Sequence, residues 1–257
     1  ELLDPNSHPM VIDPACGSGG FLLAAMNQLL NKVSAETGST YSKDRAEKVR
    51  CRIKREVFWG ADANRRIAST AKMNMIIAGD GFANIRHGDS LKEEIDFLRV
   101  KDRTLPLADY VITNPPFGMS ESDTLSEEDL QRFSIKLTKT QALFLQKMVN
   151  VTRRTGRICT VIDDGMLNTG AMARVRRHFI AECYIDAIVH LPDVTFEPNK
   201  INVRSSILLV TRKPDEDAVQ EQPIRMIDLR KLGYNSMGEE DARTSIESII
   251  KMVRSRW

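Results

Sequence analysis

Asn114-Pro115-Pro116-Phe117-Gly118 is the stretch of this 257-residue chain whose residue types are hardest to explain without chemistry. The Asn114 amide oxygen and the Pro115 carbonyl can each accept one N–H bond. The prolines have no N–H of their own and a locked φ, so the loop neither consumes those acceptors nor relaxes easily. Two fixed acceptors suit an amino nitrogen whose lone pair is delocalised into a ring, such as the exocyclic amine of adenine. Held by both hydrogens, that nitrogen turns its electron density toward an electrophilic carbon. Phe117 adds a flat face on which a base taken out of a duplex can stack. No general base is required, because the proton can leave after transfer, and the motif contains no His or Glu. The plainer alternative is a proline-rich turn after a buried strand.

An electrophile needs its own holder, and Asp13-Pro14-Ala15-Cys16-Gly17-Ser18-Gly19-Gly20-Phe21 has the form of one. Glycines at 17 and 19 permit positive φ and close approach to a ligand, which is equally the property of a dinucleotide site or a plain tight turn. A dinucleotide site prefers a further glycine where Phe21-Leu22 stand, and Asp13 repels phosphate. Asp13 suits a cation instead, such as the amino group in the methionine half of S-adenosylmethionine; otherwise it caps the turn. Asp62, in Trp59-Gly60-Ala61-Asp62, can accept both hydroxyls of a ribose, and Asp89, in Gly88-Asp89-Ser90, can accept from an adenine amine. Each alone reads as well as a helix cap. Three strand ends in a row closing on Asp favour one shared ligand, held by Asp13, Pro14, Ala15, Gly17, Gly19, Asp62, Asp89 and Asn114.

These residues must be brought to one edge, and the apolar pattern shows how. Short β-branched runs alternate with helix-period stretches, the pattern of an α/β fold with a parallel sheet. Strands are expected at 10–14, 56–62, 84–89, 110–113, 157–163 and 185–191, and helices at 19–36, 64–78, 141–153 and 171–181. The run 205–212 follows too closely on 185–191 for a crossover helix, so it should return antiparallel. Two stretches interrupt the alternation. Residues 39–55 are polar and basic and read as a solvated excursion; residues 119–137 are acidic, follow the Asn114 loop and read as a lid or substrate loop. The catalytic domain is placed at 1–213, and 214–257 is an extension with a short strand at 225–229 and a helix at 239–254.

Composition excludes little. Lys and Arg number 37 against 35 Asp and Glu, so any affinity for nucleic acid must be local. The basic clusters at 43–55, 174–178 and Arg204, Arg212 and Lys213 are solvated faces or phosphate contacts. Cys16, Cys51, Cys159 and Cys183 have no ligand or disulfide spacing, nor have His8, His87, His178 and His190, so no metal is expected. The absence of a leader and of a long apolar run fits a cytoplasmic protein without membrane contact.

On these residues the chain resembles the N6-adenine DNA methylase family, and most closely the modification subunits of type I restriction systems. Residues 13–22 resemble that family's cofactor motif and 114–118 its catalytic motif. Ala142-Leu143-Phe144-Leu145, Gly156-Arg157, Asp164-Gly165-Met166-Leu167-Asn168, Leu191-Pro192, Phe196 and Ser205-Ser206-Ile207-Leu208 follow in the family's order. The resemblance implies the Rossmann-like fold of class I S-adenosylmethionine-dependent methyltransferases, mostly parallel with an antiparallel last strand. It implies methyl transfer from S-adenosyl-L-methionine to adenine N6 in double-stranded DNA, with Asn114, Pro115, Pro116 and Phe117 catalytic. The implied partners are a specificity subunit and a restriction subunit. By position Phe196 is a second wall of the base pocket, or an anchor of its loop. Asp163 stands where the family usually has proline, and the family's long helical N-terminal region is missing ahead of the first strand, as in a fragment. The competing readings are a non-catalytic cofactor-binding or assembly module of a restriction complex and a methyltransferase acting on glutamine side chains.

Overall fold

The structure is a computed structural model, describing residues 9–79, 84–92, 99–100, 103–104, 107–118, 125–199 and 203–231. Its elements run β1 (Val11–Asp13), α1 (Gly20–Glu36), α2 (Lys43–Arg52), β2 (Phe58–Asp62), α3 (Arg65–Ile77), β3 (Asn84–His87), the short ribbon of β4 (Arg99–Val100) and β5 (Arg103–Thr104), and β6 (Ala108–Thr113). There follow α4 (Glu127–Gln131), α5 (Thr140–Val151), β7 (Thr152–Asp163), α6 (Asp164–Asn168), α7 (Ala173–Glu182), β8 (Cys183–His190), β9 (Ser205–Arg212) and β10 (Arg225–Asp228).

The main sheet is eight-stranded, in the order β10-β8-β9-β7-β6-β1-β2-β3. Every neighbouring pair is parallel except those that β9 makes with β7 and β8. The expected reversal at 205–212 is therefore present, and the connection from β8 holds, among its described residues, only a 3-10 turn of chain, Asp193–Asn199, rather than a crossover α-helix. Chain order departs in opposite directions from β1 and β6, which lie side by side with Val11 opposite Tyr110 and Ile12 opposite Val111. Ligands of open α/β sheets bind at the carboxyl ends of such a pair. Here those ends carry Asp13 and Asn114.

Two apolar layers hold the sheet. On one side Leu22, Met26 and Val33 of α1 and Ala71 and Met75 of α3 pack on Val11 and Phe58. On the other, α5 contributes Leu143, Met148 and Val149 and α7 contributes Val175 and Phe179, against Ile12, Val111, Ile158 and Ile162.

Three expectations change. Residues 39–55 are not a solvated excursion: the Ser42 hydroxyl caps α2 by accepting from the Arg45 N–H, and Ala46, Val49 and Ile53 are fully buried against α1. Those three positions, spaced i, i+3, i+7, are an apolar stripe too thin to stand out among the charges around it. Of the segment read as a lid, 119–124 lies outside the described residues. The rest is packed down: Leu125, Phe133 and Ile135 are buried, and the buried Gln146 amide pairs with both backbone groups of Ile135, at 2.8 and 3.0 Å. Finally β7 begins at Thr152, ahead of a register shift where Thr155 takes φ 64°. Residues 214–231 continue on the same sheet: β10 extends it beside β8, and Ile227 and Leu229 are buried with Val161, Val189 and Leu191. The expected helix at 239–254 lies outside the described residues.

Candidate active site

The turn after β1 is built from both sides. Gly17 and Gly19 have φ of 54° and 85°, and α1 starts from Gly19 without a side-chain cap. A Cβ added to Gly17 would meet nothing within 4 Å, so the turn opens onto free space at that point. Behind it, packing is tight: a Cβ on Gly60 would stand 2.9 Å from Leu22 and 3.0 Å from both Cys16 and Ile85. Glycine in β2 lets the turn sit down on the sheet.

The expected cofactor residues converge. The Gly17 N–H donates to Asp62 Oδ2 at 3.1 Å, the Cys16 N–H to Ala61 O at 2.9 Å, and the Gly88 N–H to Asp62 O at 2.9 Å. The Ser90 hydroxyl, buried beside Asp89, donates to Pro14 O at 2.5 Å. The ends of β1, β2 and β3 thus form one rim. Asp62 Oδ1 also accepts from the Asn64 N–H at 2.8 Å, and Asp89 Oδ1 accepts from the Leu91 N–H at 3.0 Å. These are turn bonds rather than helix caps, since Asn64 itself caps α3, and a carboxylate has more lone pairs than they use.

Asp13 differs from the other two. It is 1% exposed, with Oδ1 accepting from the Ala15 N–H at 3.1 Å. Burial pushes its carboxyl up to about 7, opposed by the Thr113 hydroxyl and the Ala15 N–H and aided by the negative charge of Asp62. A cation placed against it would restore the charged form. Thr113, which the sequence did not single out, lies close enough to Asp13 to oppose the rise, although its Oγ1 makes no well-formed hydrogen bond in the fold.

Asn114 follows directly. Its Oδ1 is buried and has no hydrogen-bond partner in the fold. A buried acceptor left unmade is costly, and Oδ1 shares that state with the neighbouring Thr113 Oγ1, so two polar atoms at the end of β6 are open to a donor. Pro115 is buried, Pro116 and Phe117 are half-buried, and Gly118 closes the loop with φ 68°. Phe117 meets Phe196 edge to face, centroids 5.3 Å apart and planes at 62°. No slot separates the rings, so in this arrangement Phe196 supports Phe117 from the side.

The end of β7 carries Asp163, which the sequence singled out, beside its neighbours Lys139 and Gln141, which it did not. Asp163 caps α6 through the Met166 N–H and pairs with Lys139 at 2.9 Å, and its own N–H donates to the buried Gln141 at 3.1 Å. Asp163 is thus an anchored carboxylate. Among the described residues no group of three His, Cys, Asp or Glu could hold a metal.

Strand order, the glycine turn at the switch point and the three aspartates define the class: this is the Rossmann-like fold of S-adenosylmethionine-dependent methyltransferases. The profile of the family described as N-6 DNA Methylase matches residues 1–256, and the chain belongs to that family. It is 26% identical over 212 residues to the type I restriction enzyme EcoEI methylase subunit of Escherichia coli, covering 82% of this chain and 39% of that one. It is 27% identical over 234 residues to the EcoKI methylase subunit of Escherichia coli K12, covering 89% and 42%. The crystal structure of the EcoKI M protein superposes with a TM-score of 0.72 at 23% identity, covering 98% of this chain and 50% of that one. A type I restriction-modification assembly contains a chain of similar fold, TM-score 0.70 at 24% identity, covering 98% and 47%. The chain therefore spans less than half the length of these curated relatives.

Proposed function

We propose that this chain is the cofactor-binding and methyl-transferring part of an adenine-specific DNA methyltransferase of the type I restriction-modification kind. The observation that carries the reading is Asn114 Oδ1, a buried acceptor with no partner, at the end of the strand beside Asp13.

The residues present fit S-adenosylmethionine. Asp13 offers a buried carboxylate for its amino group, Gly17 leaves open space above the turn, and Asp62 and Asp89 keep free lone pairs for ribose hydroxyls and the adenine amine. Pro14, Ala15 and Gly19 shape that cradle. When bound, the cofactor supplies a methyl group on a positively charged sulfur. The chain's part is to hold the acceptor: Asn114 Oδ1 and the Pro115 carbonyl take the two hydrogens of adenine N6, and Phe117 stacks on the base. Fixing that geometry before reaction converts an unreactive amine into an oriented nucleophile. The proton leaves to solvent afterwards.

Double-stranded DNA is the proposed substrate, and specificity and restriction subunits are the proposed partners, as the printed names of the relatives suggest. The four free cysteines suit the reducing cytoplasm, and no helix among the described residues is long and apolar enough to cross a membrane. The test is to incubate the full-length protein, assembled with its specificity subunit, with methyl-labelled S-adenosylmethionine and unmethylated DNA, then digest to nucleosides. Label in N6-methyladenine is expected. Cofactor binding without label in DNA sinks the proposal in favour of an idle cofactor-binding module, and label in protein glutamine instead redirects it.

A further inference from the structure

The carboxyl end of β7 carries a polar cluster that methyl transfer does not use. Ser206 Oγ, in a residue 1% exposed, donates to Asp164 Oδ1 at 2.8 Å. His190 Nδ1 stands 3.4 Å from Asp164 Oδ2 and 3.5 Å from the Ser206 hydroxyl. The Asp164 N–H donates to Arg204 O and the Leu191 N–H to Ser205 O, each at 3.0 Å. His190 ends β8 and Ser205 opens β9, so these bonds close the neck of the connection between them. From just past the end of a third strand, Asp164 bonds the β9 side of that neck through Ser206 and Arg204 and lies against His190 on the β8 side.

That connection carries Phe196, whose ring lies against Phe117. Both rings rest on Val161, Val189, Leu191, Ile227 and Leu229, and two of these, Val189 and Leu191, flank His190 in the chain. The neck and the aromatic pair therefore share one floor. Apolar packing alone is non-directional and would let the loop slide over that floor, whereas a carboxylate with fixed donors sets its height.

We propose that Asp164 is a positioning residue for base stacking: it fixes the neck, the neck sets Phe196, and Phe196 holds the tilt of the Phe117 ring. The proposal rests on the reading of Phe117 as the base platform. A ring tilted away from the productive geometry lowers the rate without touching the cofactor site.

The test has two arms. By amide hydrogen exchange, Asp164→Ala is expected to speed exchange across residues 191–199 about tenfold while the turn at 13–19 is unchanged, since local opening is read segment by segment. Asp164→Asn keeps an acceptor for Ser206 and is expected to recover most of the protection, which guards against a variant that merely misfolds. In the full-length methylase, Asp164→Ala is expected to lower kcat/KM for DNA about tenfold with cofactor affinity unchanged. Phe196→Ala should do the same, and the double variant should be no worse than Phe196→Ala alone, because residues acting through one another are not additive. Unchanged exchange at 191–199, or losses that multiply in the double variant, overturns the proposal. If the unmodified protein transfers no methyl group to DNA, the functional reading fails while the exchange arm still decides whether Asp164 holds the loop.

Discussion

Asp62 Oδ2 accepts the backbone N–H of Gly17 at 3.1 Å, across 45 residues of chain, so the end of β2 and the glycine turn are joined before any ligand arrives. The same carboxylate holds the Asn64 N–H that leads into α3. Asp62→Ala therefore removes two hydrogen bonds and a proposed ribose acceptor together. Expected are a loss of about 1–3 kcal/mol in urea unfolding and a cofactor affinity at least tenfold weaker by calorimetry. Retained affinity would show that Asp62 only shapes the turn.

Asp13 makes the ligand-free fold sensitive to pH. Its carboxyl rises from 3.8 to about 7 on folding, so the unfolded chain gives up this proton more readily than the folded one. The stability it contributes is fully present below pH 3.8, declines above that, and is gone once the pH passes about 7. At 1.36 kcal/mol per pKa unit the change is at most about 4 kcal/mol. A bound ammonium reverses the preference, so cofactor affinity should rise with pH up to about 7 and then level off. Urea unfolding of the free protein from pH 5 to 8 is expected to show the decline, and Asp13→Asn should flatten it. Parallel curves for the two proteins would place the titration elsewhere.

The rim of the site was legible in the sequence because its residues sit where chain pattern changes. Asp13 and Asn114 each follow a β-branched run, Asp62 closes the short run Phe58-Trp59-Gly60-Ala61, and the reversal at β9 is expected from the loop character of the connection before it. What escaped depends on register. Thr113 acts on Asp13 because β6 lies beside β1, and Ser206 reaches Asp164, 42 residues away, because β9 runs antiparallel to β7. No local pattern announces either contact. Helix α2 escaped for the opposite reason: its signal is local but thin, two buried apolar positions, Ala46 and Val49, with Ile53 just past its end, in a run of charges.

Gly60 is the place where the turn is held by absence of a side chain. Its added Cβ would come within 3.0 Å of Cys16 Cβ, which is tied to the turn backbone, and 2.9 Å from Leu22, which is fully buried. Neither can swing away, so Gly60→Ala is expected to cost about 1–3 kcal/mol by overpacking. Because Cys16 neighbours Gly17, calorimetry should show weaker cofactor binding in the same variant. Lost stability with unchanged affinity would mean that the strain is relieved through Ile85 and never reaches the turn.

Asn114 offers the sharpest separation of fold from chemistry. Its Oδ1 is buried without a partner, so the ligand-free protein bears the cost of desolvating that acceptor and gains no bond in return. Asn114→Ala removes the cost. The variant is expected to be as stable as the parent or up to ~1 kcal/mol more stable, which is unusual for a truncation inside a fold. Methyl transfer, by contrast, should fall about a hundredfold or more, since an acceptor aimed at the reacting nitrogen is lost. Thermal unfolding and label incorporation into DNA, measured on one preparation, check both at once. A variant that loses stability and activity together would mean that Asn114 holds the loop rather than the amine, and the acceptor role would pass to the Pro115 carbonyl alone.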